Sequence, residues 1–157
     1  MKILIAYATK YGCAQNCAKT LSEKIKGEVE LCSLKTVKDI DLSNYDSVII
    51  GGSIYMGKIQ KEVKKFCEER INELRAKKVG LFICCMGEEE VAQTQLNNSF
   101  PQELINIAIA KENFGGEFIL DKMKSFDKFI VKKVSKVEIN TSNVLEKNIE
   151  SFAKAMN

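Results

Sequence analysis

The first fourteen residues, MKILIAYATKYGCA, constrain the fold more than any other segment. The apolar run Ile3–Tyr7 reads as a buried strand. Ala8–Gly12 form a small-residue turn, and an amphipathic helix starts at about Ala14. A strand that turns directly into a helix aims several backbone N–H groups, and the positive end of the helix dipole, at one point. An anion fits there, most often a phosphate. The turn matches neither G-x-x-x-x-G-K-[ST] nor G-x-G-x-x-G. The expected phosphate is therefore not that of a nucleoside triphosphate or a dinucleotide.

The rest of the chain alternates strand and helix with no Pro/Gly/Ser linker and no repeat. Strands are expected at Lys2–Tyr7, Glu28–Cys32, Ser47–Gly51, Val79–Cys84 and Glu117–Leu120. Helices are expected at Ala14–Lys26, Ile59–Arg75, Pro101–Ala110, Lys124–Lys136 and Asn143–Met156, the last with Asn143 and Glu146 as a capping box. This pattern predicts an α/β fold, a doubly wound five-stranded parallel sheet with helices on both faces. At 157 residues the chain suggests one domain, residues 1–157. Its apolar runs are a few residues long, so no membrane-spanning segment is expected. The N-terminal run is too short for a signal core and points to the cytoplasm. A net charge of +3 is too small to imply nucleic acid.

The chain has six cysteines and no histidine. Without histidine, Ser-His and Cys-His nucleophile chemistry is excluded within this chain. No C-x-x-C pair occurs, so no zinc site is expected. Cys13 falls at the start of the first helix, where the helix terminus lowers a thiol pKa, and one reading makes it a redox thiol. Cys17, Cys32 and Cys67 read as core. The lysine-rich stretch 124–136 reads as a solvated face; the sharper reading is a basic amphipathic helix in peripheral contact with a membrane or an acidic partner.

In doubly wound sheets, ligands sit beyond the carboxyl ends of the strands at the switch point. Three loops occupy that place. The first offers the Thr9 hydroxyl, the Lys10 charge and backbone donors from Tyr11, Gly12, Cys13 and Ala14; its bland reading is a plain strand-to-helix turn. The second, Gly51–Gly57, brings Ser53, Ile54, Tyr55, Met56 and Gly57. Its adjacent glycines admit a planar group to the backbone. Tyr55 either stacks on that group or packs on the second helix. The third, Cys85–Gln95, begins at Cys85, Met86 and Gly87 and turns acidic at Glu88–Glu90; one of Cys84 and Cys85 faces the core and the other the ligand. A phosphoryl-accepting receiver shares this architecture, but it needs acidic residues after strand one and an Asp after strand three. Ala8-Thr9-Lys10 and Gly51-Gly52-Ser53 stand there instead.

The segments ILIAYATKYGCA (3–14), SVIIGGSIYMG (47–57) and Gly115-Gly-Glu117 with the helix after it resemble the short-chain flavodoxins. Within that family the chain is most similar to the menaquinone-dependent protoporphyrinogen oxidase branch. The resemblance implies FMN, with its phosphate in the loop Thr9–Ala14. Its ring would lie between residues 53–57 and the loop from Cys85, stacked on Tyr55. It also implies electron transfer with redox partner proteins or a quinone. The alternative it carries is oxidation of protoporphyrinogen IX with a quinone acceptor, although the chain lacks the long insertion of that branch. A nucleotide-binding module with a structural role is a third reading. Cys13 and Ala14 replace the hydroxyl-bearing residues that usually close the phosphate loop. A hydrogen bond to a charged group is worth about 1.5–3 kcal/mol, so weaker FMN binding is expected, partly restored by Lys10.

Overall fold

β1 (Lys2–Ala8) is buried at every position after Lys2, as a strand covered on both faces must be. The structure, a computed structural model, describes residues 1–118 and 141–157. The expected helix Lys124–Lys136 and the end of the expected strand Glu117–Leu120 lie outside these residues. β1 is central in a parallel sheet with β2 (Glu28–Ser33), β3 (Ser47–Ser53), β4 (Lys78–Cys84) and β5 (Ala110–Asn113), in the order β2-β1-β3-β4-β5. Ile5 pairs with Ile49, Ile49 with Gly80, and Gly80 with Ala110.

Alternate residues of the strands feed two core layers. Leu4, Ala6, Val48, Ile50, Leu81 and Ile83 face one layer. There they meet Val63 and Cys67 of α2 (Lys61–Glu69), Leu74 of α3 (Ile71–Leu74), Ala92 and Leu96 of α4 (Glu89–Ser99), and Leu104 of α5 (Gln102–Ile107). Ile3, Ile5, Ile49 and Phe82 face the other, with Ala14, Cys17 and Leu21 of α1 (Cys13–Lys24) and Ile149, Phe152 and Met156 of α6 (Glu146–Met156). This is the doubly wound α/β sheet expected from the sequence. Among the described residues, no helix is long and apolar enough to cross a membrane.

Several elements differ from expectation, among them α4, which occupies a stretch read as loop. The fifth strand is Ala110–Asn113, not Glu117–Leu120; residues 115–118 form β6, antiparallel to β7 (Thr141–Val144) in a separate two-stranded sheet. β5 is an edge strand with Lys111 exposed, so no apolar run announces it. The helix read as Pro101–Ala110 ends at Ile107, because Ala108 turns extended and the chain leaves to join β4. The single helix Ile59–Arg75 divides at Arg70, whose guanidinium reaches the Ile40 carbonyl at 2.7 Å and the Glu73 carboxylate at 2.6 Å. Asn143 belongs to β7, and Leu145, without a side-chain cap, precedes α6. Gly115, at φ 76°, starts β6 so close to the Asn143 carbonyl that a Cβ would collide with it. Gly115→Ala is accordingly expected to destabilise the protein by about 1–3 kcal/mol, read from the urea midpoint.

Candidate functional site at the carboxyl edge

The first loop folds back on itself at once. Gly12 N–H donates to Thr9 Oγ1 at 2.9 Å, and Gly12 takes φ 96° before α1 begins at Cys13. A Cβ at Gly12 would meet nothing within 4 Å, so the glycine answers to the left-handed conformation and not to crowding. This bond uses one lone pair of the Thr9 hydroxyl. α1 has no side-chain cap among the described residues and no acidic residue in its first turn. A positive helix end of this kind suits an anion.

The second loop leaves β3 at Ser53, whose N–H donates to Gln60 Oε1 at 3.0 Å. Tyr55 and Lys58 exchange two backbone hydrogen bonds, 2.9 and 3.0 Å, around Met56 (φ 49°) and Gly57 (φ 75°). Two left-handed residues between paired partners make the I′ type of hairpin turn. Ser53 Oγ is buried with no hydrogen-bond partner among the described residues. An orphaned buried hydroxyl costs about 1–3 kcal/mol. A polar ligand at this point would relieve that.

The third loop is held by Asn113. Its Oδ1 accepts from Cys85 N–H and from Gly115 N–H, both at 3.0 Å, and its Nδ2 donates to the Cys85 carbonyl at 3.1 Å. This ties the end of β4 to the start of β6.

The three loops meet around one cavity of about 70 Å³. The first contributes Lys10, Tyr11 and Cys13; the second Ser53, Ile54 and Tyr55; Cys84 and Met86 follow from β4. Gly116 and Glu117 of β6 close it, and these two are residues that the reading of the loops missed. Thr9, Gly12 and Ala14 support the first turn without lining the cavity, and Ala14 is fully buried beneath it. Cys85 and Gly87 also stand outside. Cys85 is buried in the layer under α2 and α4 and accepts from Gly87 N–H, while Cys84 takes the cavity wall. Strand alternation required that one cysteine face each way, and Cys84 is the one on the cavity side.

Lys10 and Tyr55 also line a neighbouring groove of about 490 Å³ with Lys35, Met56, Lys58, Ile59 and Gln60. Met56 is 65% exposed on its rim, and Gly57 lines neither space. Lys10 Nζ lies 3.6 Å from the Tyr55 ring centroid, a close cation–π contact. An ammonium thus covers one face of the ring.

At the cavity wall three thiols cluster, their sulfurs within 4.8 Å of one another. The Cys17 and Cys84 thiols and the Glu117 N–H all hydrogen-bond to Cys13, which pulls the Cys13 pKa down to about 4 against the effect of burial. The same contact with Cys13 pushes Cys17 up to about 12, and Cys84 rises for that reason and because of its burial. Of the three, Cys13 is the thiol whose ionised form these contacts favour.

The fold and this edge can now be set beside known proteins. Residues 4–144 match the family model described as Flavodoxin domain. The chain belongs to the flavodoxin domain family. The match does not single out the protoporphyrinogen oxidase branch. Flavodoxin from Streptococcus pneumonia TIGR4 superposes with a TM-score of 0.60 at 14% identity, over 99% of this chain and 97% of that one. The Fusobacterium nucleatum flavodoxin bound to flavin mononucleotide gives 0.50 at 17% identity, over 72% and 69%. Rubredoxin oxygen:oxidoreductase from Desulfovibrio gigas gives 0.50 at 18% identity; it is matched over 99% of this chain, which spans only 36% of that longer one. No curated protein matches the sequence. These likenesses establish the flavodoxin fold, whose sheet order is the one found here.

Proposed function

We propose that this flavodoxin-domain protein binds FMN at the carboxyl edge of its sheet and passes electrons between redox partners through it. The observation that carries the reading is the junction of β1 and α1. An uncapped helix start opens beside a cavity that holds a cation, an aromatic ring and the orphaned Ser53 hydroxyl. FMN, when bound, supplies the electron-accepting ring. The chain supplies the rest. First-turn N–H groups of α1 and the Lys10 ammonium hold the phosphate. Ser53 Oγ gains a partner, and Tyr55 offers its face to the ring.

Two features tune the affinity. Lys10 rests on the Tyr55 face, so binding draws it from that ring to the phosphate and joins the small cavity to the larger groove. At about 490 Å³ the groove reaches the size of ordinary cofactor pockets, roughly 300–1,000 Å³, which the 70 Å³ cavity alone does not. Glu117 places a carboxylate in the same cavity as the proposed phosphate.

Titration of the purified protein with FMN tests the reading. Saturable quenching of flavin fluorescence at micromolar protein is expected; no quenching would overturn it. Glu117→Gln removes a like charge and is expected to tighten binding roughly fivefold, about 1 kcal/mol, while Lys10→Gln weakens it by a similar factor. Both changes should shrink at high salt, because both are charge effects.

A further inference from the structure

The six cysteines separate by layer. Cys32, Cys67 and Cys85 lie in the core layer under α2 and α4; Cys13, Cys17 and Cys84 lie in the other. Cys13 and Cys17 are four residues apart on α1 and leave the same face of the helix. β4 delivers Cys84 opposite them as its last residue. The three sulfurs are all within 4.8 Å of one another. Their exposures are 8%, 2% and 3%.

We propose that Cys13, Cys17 and Cys84 form a binding site for one soft d10 cation, Cu(I) or Zn(II), held by three thiolate sulfurs. An equilateral triangle with 4.8 Å sides has its centre about 2.8 Å from each corner, and a Zn–S bond is about 2.3 Å, so each sulfur need close in by ~0.5 Å at most. Sulfur donors select soft ions over Mg²⁺ and Ca²⁺. Cu(I) is satisfied by three sulfurs. Zn(II) takes a fourth ligand, and the adjoining cavity offers the Met86 thioether and the Glu117 carboxylate. The same cavity, which Cys13 and Cys84 line, is the way in.

Binding breaks S–H bonds and forms metal–sulfur bonds. The protons leave to solvent and no electrons move. Three thiolates around Zn(II) leave one net negative charge, and around Cu(I) two. That charge sits at the first turn of α1, where the positive end of the helix dipole stabilises it. Plain packing of three small apolar side chains predicts no metal affinity at all.

The test uses the full chain, reduced, anaerobic and free of FMN, so its failure would leave the flavin reading standing. Cu(I) is titrated against a chelator of known affinity, and Zn(II) in a separate series. One equivalent of either ion, with an X-ray absorption shell of three sulfurs, is expected. One equivalent of Cu(I) assigns the three-sulfur site; one of Zn(II) adds the fourth ligand. Cys17→Ser should weaken binding by at least about tenfold, a loss that even outer-shell changes reach, whereas Cys32→Ser should leave it unchanged. If Cys17→Ser fails to fold by circular dichroism, the sulfur shell of the unaltered protein decides alone. The proposal is overturned if neither ion binds at one equivalent, if the shell holds fewer than three sulfurs, or if folded Cys17→Ser binds as before.

Discussion

Asn113→Ala is expected to lower stability by about 3–5 kcal/mol, seen as a large fall in the urea midpoint with little change in slope. Asn113 is buried at the end of β5. Its amide satisfies two backbone N–H groups, at Cys85 and Gly115, and one carbonyl, at Cys85. Alanine removes all three partners at once and leaves no side chain long enough to replace them. Each stranded group costs about 1–3 kcal/mol, less where water enters the space. The Asn148 amide, which donates to the Asn113 carbonyl at 2.9 Å, is unaffected because it reads the backbone. The bracket also fixes where β4 ends and β6 begins. It therefore sets the distance between Cys84 and Glu117 across the cavity, and FMN affinity should fall along with stability. A midpoint change worth less than about 0.5 kcal/mol, the size of an ordinary surface substitution, would mean that water takes over the bracket.

The sequence shows the sheet plainly except at its β5 edge. β1, β3 and β4 are apolar runs bounded by turns, and each is found within two residues of its expected place. α4 was hidden because only Ala92, Leu96 and Ser99 face inward, and two of those are small or polar. The acidic start at Glu88–Glu90 read as loop, yet acidic residues in a first turn suit a helix start. β5 has a single apolar residue, Ala110, so nothing in its pattern marks a strand. The thiol triangle was missed for another reason. Spacing rules seek C-x-x-C, whereas here the chain joins an i, i+4 pair on α1 to a residue 67 positions past Cys17. The Cys13/Cys17 spacing was the available signal, and only the parallel register of β1, β3 and β4 brings Cys84 to it.

The adjacent glycines after Ile50 teach the same lesson and lead to a second large effect. They suggested the approach of a flat ligand. A flat group does approach Gly51, and it is Phe82: a Cβ at Gly51 would overlap that ring. Phe82 is fully buried, stacks on Phe114 at 4.7 Å and 16°, and meets Phe152 edge-on at 6.4 Å. Phe82→Ala is expected to cost about 3–5 kcal/mol and to lower Tm by roughly 10–15 °C. Gly51→Ala overpacks the same place and should cost about 1–3 kcal/mol. The double variant puts the new methyl into space the ring has left. It should therefore be more stable than the sum of the two losses, with a coupling of about 0.5–3 kcal/mol measured by a thermal or urea double-mutant cycle. Strict additivity would show that the glycine is not there for the ring. Gly51→Ala that remains folded should also keep its FMN affinity, since Gly51 lines neither the cavity nor the groove; a selective loss of flavin binding in that variant would return Gly51 to the ligand.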